Sequence, residues 1–189
     1  MAEIRPLRAL RYNPEKVEAD QVVAPPYDVL DEEDRERCRA QDEHNIVRLT
    51  LGDEPLTQDP PPARYQRAAE LLNEWLADRV LTHDPGPALY LWEQTYRIPP
   101  GMLGPSGELS RRGFVALLKL EPLGEDAVFP HEGTLAGPKQ DRLKLRRACR
   151  AVFGPLYLIY TDPEHRADQA LASTGASHEL LDATDEDGT

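Results

Sequence analysis

The sequence is poor in the residues that define disulfide-rich, metal-binding and membrane proteins. Its 189 residues include only two cysteines, Cys38 and Cys149. Neither belongs to a CxxC pair, so we expect both to be small buried side chains in helices rather than zinc ligands or a disulfide. No apolar run approaches the length of a bilayer crossing, and the first residues do not read as a signal peptide. These absences favour a cytoplasmic protein with no membrane association.

The common phosphate-binding and metalloprotease motifs are also missing. No P-loop or dinucleotide fingerprint occurs, and Gly101, Gly104 and Gly107 fall in a predicted hairpin loop rather than between a strand and a helix. His131-Glu132 would need a second histidine at position 135 to form a zinc-protease motif, and that position is leucine. The five histidines are isolated, and we predict no metal site.

Positive charge is scarce. The chain has 22 Lys and Arg against 34 Asp and Glu, a formal net charge of -12. Sequence-blind nucleic-acid binding requires an excess of phosphate-neutralising cations, so this balance disfavours it while leaving room for a local basic site. A hydrophobic fraction of 40% and 18 prolines indicate one core with many loops.

The pattern of apolar residues predicts an α/β (α+β) protein with a mixed sheet and peripheral helices. The clearest signal is an amphipathic helix over 64–79, in which Trp75 is a core residue rather than a ligand. Asp31 is a good N-cap for a helix that reaches about Ala40. The other predicted helices are 138–151, with Leu145, Ala148, Cys149 and Val152 on one face, and 163–172. Predicted strands are 4–12, 44–51, 88–98, 112–120, 155–160 and 179–181.

Two of these predicted strands are expected to pair with each other. Residues 88–98 and 112–120 read as an antiparallel pair, joined by a loop rich in Gly and Pro. Within the second strand, the apolar run 114–118 is typical of a central strand. The run 155–160 is likewise typical of a buried strand. The hydrophobic residues of these three segments therefore predict a single mixed sheet.

The first candidate site lies in the run from Val22 to Val29. Two prolines stiffen it, and it presents Pro26, Tyr27 and Asp28 just before an acidic helix start. A rigid segment of this kind can offer a hydroxyl and a carboxylate to a ligand. The same residues can equally end a strand and cap a helix.

The second candidate site begins at His131-Glu132. A loop ahead of a helix N-terminus attracts anions through unpaired backbone N–H groups and the helix dipole. Thr134 would add a hydroxyl, and the helix start would add charged groups from Lys139, Asp141 and Arg142. His131 or Glu132 would then transfer a proton or contact a metal. The alternative is a loop-capping histidine followed by a solvated basic helix face and an ordinary salt bridge.

Asn45 and Arg48 form a further polar pair on the predicted strand 44–51. An arginine fork can grip a carboxylate or phosphate in two parallel hydrogen bonds. Arg48 can also be a surface residue, which is the commoner case.

Six ordered blocks of the sequence resemble one family. Together they cover essentially the whole chain, and they resemble the N-terminal half of the bacterial and archaeal "domain of unknown function 1015" family. The blocks are Ile4–Tyr12, Val23–Val29, Asn45–Leu49, Arg111–Phe114, Pro130–Glu132 with Thr134, and Pro138–Leu143.

The resemblance implies a domain organisation. Members of the family continue into a second half that holds an Asp-Gly-His-His-Arg motif, which this chain lacks. We therefore expect residues 1–189 to be a single N-terminal domain of a longer protein, with 182–189 a truncated or disordered tail. If the missing motif carries part of the site, this chain alone is inactive or binds its ligand weakly.

The resemblance also implies a function. The family is similar to the ParB and sulfiredoxin superfamily, in which some members bind nucleotides and one branch phosphorylates free serine. It implies an ATP- and Mg-dependent phosphotransferase acting on a small hydroxyl metabolite. The catalytic residues would be Asp28, His131 and Glu132. Phosphate or substrate would be bound by Pro26, Tyr27, Asn45, Arg48, Thr134, Lys139, Asp141 and Arg142.

Two other functions stay open at this point. One is a non-catalytic module that binds a nucleotide or metabolite. The other is a ParB-type DNA-associated protein, which the charge of -12 disfavours. The sequence does not specify the oligomeric state or the substrate.

Overall fold

The computed structural model describes residues 2–57, 60–98, 107–124, 127–130, 133, 136–173 and 182–184. Among them it has six helices and six short strands. The helices are α1 (Ala19–Val22), α2 (Glu32–Gln41), α3 (Val47–Thr50), α4 (Pro62–Ala77), α5 (Ala136–Cys149) and α6 (Arg166–Ser173). The strands are β1 (Ile4–Arg5), β2 (Leu10–Tyr12), β3 (Leu81–His83), β4 (Tyr90–Ile98), β5 (Gly107–Val115) and β6 (Leu117–Leu118). The predicted α/β content is confirmed.

Helix α4 organises the main core, as the amphipathic pattern predicted. Pro62 occupies its first turn, where a missing N–H costs nothing. Leu72 and Trp75 are buried on its apolar face, together with residues from α1, α3 and β3. Tyr12 of β2 packs against Trp75 with ring centroids 6.1 Å apart. The prediction that Trp75 is a core residue is therefore confirmed.

The first turn of α2 is closed by a reciprocal cap. The Asp34 backbone N–H donates to the Asp31 carboxylate at 2.9 Å, and the Asp31 backbone N–H donates to the Asp34 carboxylate at 3.2 Å. Two of the otherwise unpaired N–H groups are thus satisfied, and the acids complement the helix dipole. The predicted start of this helix at Asp31 is correct.

The predicted single mixed sheet is wrong for the described residues. They form three separate antiparallel pairs instead, β1 with β6, β2 with β3 and β4 with β5. A further bridge joins Leu7 to Ala88. The run 114–118 is not a central strand, because β5 pairs only with β4 in the part of the chain described here. The antiparallel pairing of 88–98 with the following strand was predicted correctly.

The segment 44–51 was predicted as a strand and is a helical turn, α3. The Asn45 side-chain oxygen accepts a hydrogen bond from the Val47 N–H at 3.1 Å and starts the turn. Val47 and Leu51 then lie one turn apart and are buried beside Cys38. Burial on a helical spacing outweighs the β-propensity of Ile46 and Val47, which is a weak preference of about 1 kcal/mol at most.

The region after α5 also differs from the prediction. The helix ends at Cys149, and Arg150 adopts φ 54°, a left-handed conformation that closes a helix. Val152 therefore leaves the helix and is exposed, and Ala148 faces solvent as well. Residues 155–160, predicted as a buried strand, are irregular and exposed. The strand predicted at 179–181 lies outside the described residues.

Two further expectations concern the environment of the cysteines and the presence of a membrane-spanning helix. Both cysteines lie in helices and neither forms a disulfide; Cys38 is buried and Cys149 half-buried. Among the described residues, none of the helices has the length and apolar content required of a membrane span.

Candidate functional site

The proline-stiffened loop is anchored to the core through its tyrosine. Ala24, Tyr27 and Leu30 pack against the cluster formed by Cys38, Val47 and Leu51. The Pro26 carbonyl accepts a hydrogen bond from the Val29 N–H at 3.1 Å and so forms a turn. Pro26 and Asp28 are exposed on this turn, whereas Tyr27 is half-buried. The loop therefore presents one aromatic face and one free carboxylate.

The structure brings Tyr27 and Arg142 together. The Arg142 guanidinium carbon lies 4.1 Å from the centroid of the Tyr27 ring, a cation–π contact. These residues come from opposite ends of the chain, one from the proline loop and the other from α5. Two of the stretches singled out in the sequence therefore meet in space.

Asp141 is the centre of a part-buried cluster below this contact. Its Oδ1 accepts hydrogen bonds from the Tyr65 hydroxyl at 2.8 Å and from Arg64 Nη1 at 3.1 Å. Its Oδ2 accepts one from Arg142 Nε at 2.8 Å. The side chain of Asp141 is 15% exposed and that of Arg64 only 6%. The carboxylate thus links α4 to α5.

These contacts determine the ionisation of the cluster. Burial alone raises the pKa of Asp141, but the hydrogen bonds from Arg142 and Tyr65 and the charges of Arg142 and Arg64 outweigh it, so that the pKa is lowered. Burial, followed by the hydrogen bond to Asp141, raises the pKa of Tyr65 to about 12. Burial lowers the pKa of Arg64. Near neutral pH, Asp141 is charged and Tyr65 keeps its proton.

Among the described residues, the cluster around Asp141 holds two arginines and one acid. The Thr50 carbonyl accepts hydrogen bonds from Arg64 Nη2 at 2.7 Å and from Arg142 Nη2 at 2.8 Å. A carbonyl is neutral, so the ion pairs described here give the two guanidinium groups one carboxylate, Asp141, between them.

The arginines on the neighbouring helices are paired with a larger number of acids. Arg35 is buried and paired with Glu32 and Glu36. Other pairs in this region join Arg39 to Glu36 and Asp53, Arg48 to Asp53, and Arg67 to Glu54. In the described ion pairs, Arg64 and Arg142 have one acid for two arginines. Arg35, Arg39 and Arg48 have three acids for three arginines, in a chain that is strongly acidic overall.

Asn45 and Arg48 have structural partners. Asn45 is fully buried, and its Nδ2 donates to the carbonyls of Gln21 at 2.8 Å and Val23 at 2.9 Å. It ties α3 to the end of α1, where the proline loop begins. Arg48 Nη2 donates to the Arg39 carbonyl at 3.0 Å, and Nη1 lies 3.6 Å from Asp53. These contacts give both residues a role in holding the helices together.

Of the remaining predicted site residues, one is described by the structure and three are not. Lys139 is exposed in the first turns of α5. His131, Glu132 and Thr134 lie outside the described residues, so their predicted approach to Asp28 stays a prediction.

Two members of the cluster were missed from the sequence, Arg64 and Tyr65. Tyr65 was taken only as an apolar position of α4. Arg64 lies four residues before Ala68 and so extends the apolar stripe of that helix. A charged residue on a buried stripe indicates a buried ion pair, and this signal was available in the spacing.

These features define an α/β protein with small antiparallel strand pairs and a part-buried arginine–aspartate–tyrosine cluster under a proline-stiffened loop. The chain belongs to the family described as "Protein of unknown function (DUF1015)", which it matches over residues 4–189. Searches among curated proteins and among solved structures found no match.

Proposed function

We propose that the chain binds a phosphate-bearing small molecule where Tyr27 meets the first turns of α5. The ligand would be a nucleotide such as ATP with magnesium, and the reaction would be phosphoryl transfer to a small hydroxyl metabolite such as free serine. The family resemblance to nucleotide-using proteins suggests the reaction. The binding step is supported by the residues themselves.

One observation carries the proposal: among the described residues, two guanidinium groups share a single carboxylate. Part-buried charges in proteins are normally matched, because an unmatched one costs several kcal/mol. A phosphate group would supply the missing negative charge. Arginine also matches phosphate geometry, since its planar fork donates two parallel hydrogen bonds.

The surrounding residues would each contribute a different interaction to the bound ligand. Lys139 would add a point charge, and the N-terminus of α5 favours anions through its dipole. The Tyr27 ring would hold the Arg142 guanidinium in place. Asp28 is an exposed carboxylate next to Tyr27, and its oxygens are ligands of the kind that Mg²⁺ accepts. A bound magnesium would neutralise the developing phosphate charge.

A non-catalytic binding module is the alternative, and one observation favours it. Arg142 already makes hydrogen bonds to Asp141 and to the Thr50 carbonyl, so part of its donor capacity serves the fold. Such a module would bind the nucleotide without turning it over.

Calorimetric titration with Mg·ATP tests the binding step. We expect weak, saturable binding with a Kd on the order of 1 mM. Lys139→Gln should weaken it several-fold without loss of stability, because Lys139 is exposed. Arg147→Gln is the matched control, because it removes one charge from an exposed position of the same helix. Equal affinity in the two variants would contradict the proposed site.

Release of ADP in the presence of serine and a panel of hydroxyl metabolites tests the reaction. Turnover that is lost in Asp28→Asn would support an enzyme. Saturable binding of ATP without ADP formation would support the module instead. Retention of the chain on DNA that is lost at high salt would revive a DNA-associated function.

A further inference from the structure

The most apolar exposed surface of the described chain lies in the segment between α5 and α6. Five large side chains in a row are exposed there: Leu156, Tyr157, Leu158, Ile159 and Tyr160. Leu156 is 88% exposed and Ile159 is 82% exposed. Contiguous exposed apolar residues of this kind mark interaction sites, whereas single ones need no explanation.

Residues 155–160 make no backbone hydrogen bond to any other residue that the structure describes. Backbone groups without described partners and a run of Leu, Tyr and Ile are the properties of an unpaired strand that can add to the edge of a sheet. Pro155 stands at the start of the run, a position that a strand tolerates.

The segment is held next to the β4–β5 hairpin by its two tyrosines. The Arg111 guanidinium lies 5.6 Å from the centroid of the Tyr157 ring, and Phe114 lies 5.9 Å from Tyr160 between ring centroids. These two contacts attach the tyrosines to β5. Leu156 and Ile159 are left as the most exposed members of the run.

We infer that residues 155–160 pair antiparallel with the same segment of a second copy of this chain. In such a pair, related by a twofold axis that passes Leu158, Leu156 of each copy would face Tyr160 of the other, and Ile159 would face Tyr157. An isologous contact of this kind closes on itself and gives a dimer.

The charges at the two ends of the segment select this arrangement. On its N-terminal side are the exposed cations Arg146, Arg147 and Arg150. On its C-terminal side, the three acids Asp162, Glu164 and Asp168 outnumber the one arginine, Arg166. Arg166 lies 3.9 Å from Glu164, and His165 lies 3.2 Å from Asp168. Antiparallel pairing brings the basic end of each copy to the acidic end of the other, whereas parallel pairing would bring like charges together.

The available area is also of the right size. At roughly 200 Å² for a large side chain, the exposed fractions of the five residues amount to about 650 Å² in each copy. A standard interface buries about 800 Å² per partner, so the segment and its charged flanks suffice for a dimer of moderate affinity.

Analytical ultracentrifugation of the 189-residue chain at a series of concentrations tests the inference. We expect a monomer–dimer equilibrium in the micromolar range. Ile159→Lys should shift the dissociation constant upward by at least tenfold. Leu120→Lys is the matched control, because Leu120 is 95% exposed and lies outside the segment. A wild-type chain that stays monomeric at all concentrations would overturn the inference.

Charge reversal tests the antiparallel arrangement. Arg147→Glu and Glu164→Lys should each weaken the dimer, and the double variant should recover most of the lost affinity. Hydrogen exchange should show protection of the amides 156–160 that grows with protein concentration. A dimer that Ile159→Lys leaves unchanged, or protection that does not depend on concentration, would show that another surface is involved.

Discussion

At the scale of single residues, polar side chains buried in this protein have definite partners. Asn45 joins two carbonyls of the α1 region and starts α3 with its own oxygen. Asp84 receives hydrogen bonds from Arg11 at 2.6 Å and from Tyr90. Asp141 does the same between α4 and α5. Each of them holds together segments that are far apart in the sequence.

Replacement of Asp141 should destabilise the protein in a pH-dependent way. Asp141→Asn leaves Arg64 and Arg142 without their common carboxylate, and we expect a loss of about 2–3 kcal/mol at pH 7. The pKa of Asp141 is lowered in the folded chain. Its contribution is therefore present above the pKa of the unfolded chain, about 3.9, and is lost as the pH falls through the folded pKa.

Urea unfolding at several pH values measures this effect. The difference between the wild type and Asp141→Asn should be constant from pH 7 down to about pH 5 and should shrink below pH 4. Asp78→Asn is the control, because Asp78 is exposed at the end of α4. A difference that stays the same at pH 3 would rule out the stabilising role of the ionised carboxylate.

The residue scale also shows what the sequence could not provide. Tyr27, Asp141 and Arg142 were chosen from their local motifs, and the structure brings them together. Asn45 was chosen as a ligand-binding residue, but its hydrogen bonds are to carbonyls of residues 21 and 23. An asparagine that binds a ligand and one that binds buried backbone carbonyls look the same in a sequence, because each is a single polar residue next to apolar ones.

At the scale of elements, the β4–β5 hairpin depends on a close approach between two strands. Trp92 lies directly across from Gly113. A Cβ atom at position 113 would lie 2.7 Å from two atoms of the indole. The absence of a side chain at this position lets the indole lie against the backbone, 5.5 Å from the Arg111 guanidinium. The tryptophan and the glycine therefore work as a pair.

Gly113→Ala should displace the indole and weaken the hairpin. Gly113 has no positive φ, so the cost is the steric contact, which we expect to destabilise the chain by about 1–3 kcal/mol. Gly86→Ala is the matched control, because a Cβ there meets no atom within 4 Å. Near-ultraviolet circular dichroism reports the tryptophan environment, and thermal unfolding reports stability. Equal behaviour of the two variants would contradict the close contact.

Elements with a repeated pattern were predicted from the sequence, and elements defined by distant contacts were not. Helix α4 shows its apolar residues at the spacing of a helix, and α2 shows its cap, so both were predicted close to their observed bounds. The segment 44–51 was mistaken for a strand because the residues that bury Val47, among them Cys38, lie elsewhere in the chain. The run 155–160 has the composition of a buried strand without a described partner to bury it.

At the scale of the whole molecule, the acidic chain carries its positive charge in local groups. A net charge of -12 repels polyanions at a distance, whereas at the proposed site the two arginines around Asp141 would attract a small anion at close range. A small phosphate compound can reach such a site, while a long nucleic acid would meet the surrounding acids. The proposed ligand is therefore a metabolite.

The pairing of β1 with β6 has a consequence for the order in which a nascent polypeptide acquires its structure. Ile4 pairs with Leu118, and Leu10 pairs with His83. A chain that leaves the ribosome amino-terminus first can close β2 on β3 while the residues of β6 are still being synthesised. The first strand to be made then becomes one of the last to find its partner, since long-range pairing is slow.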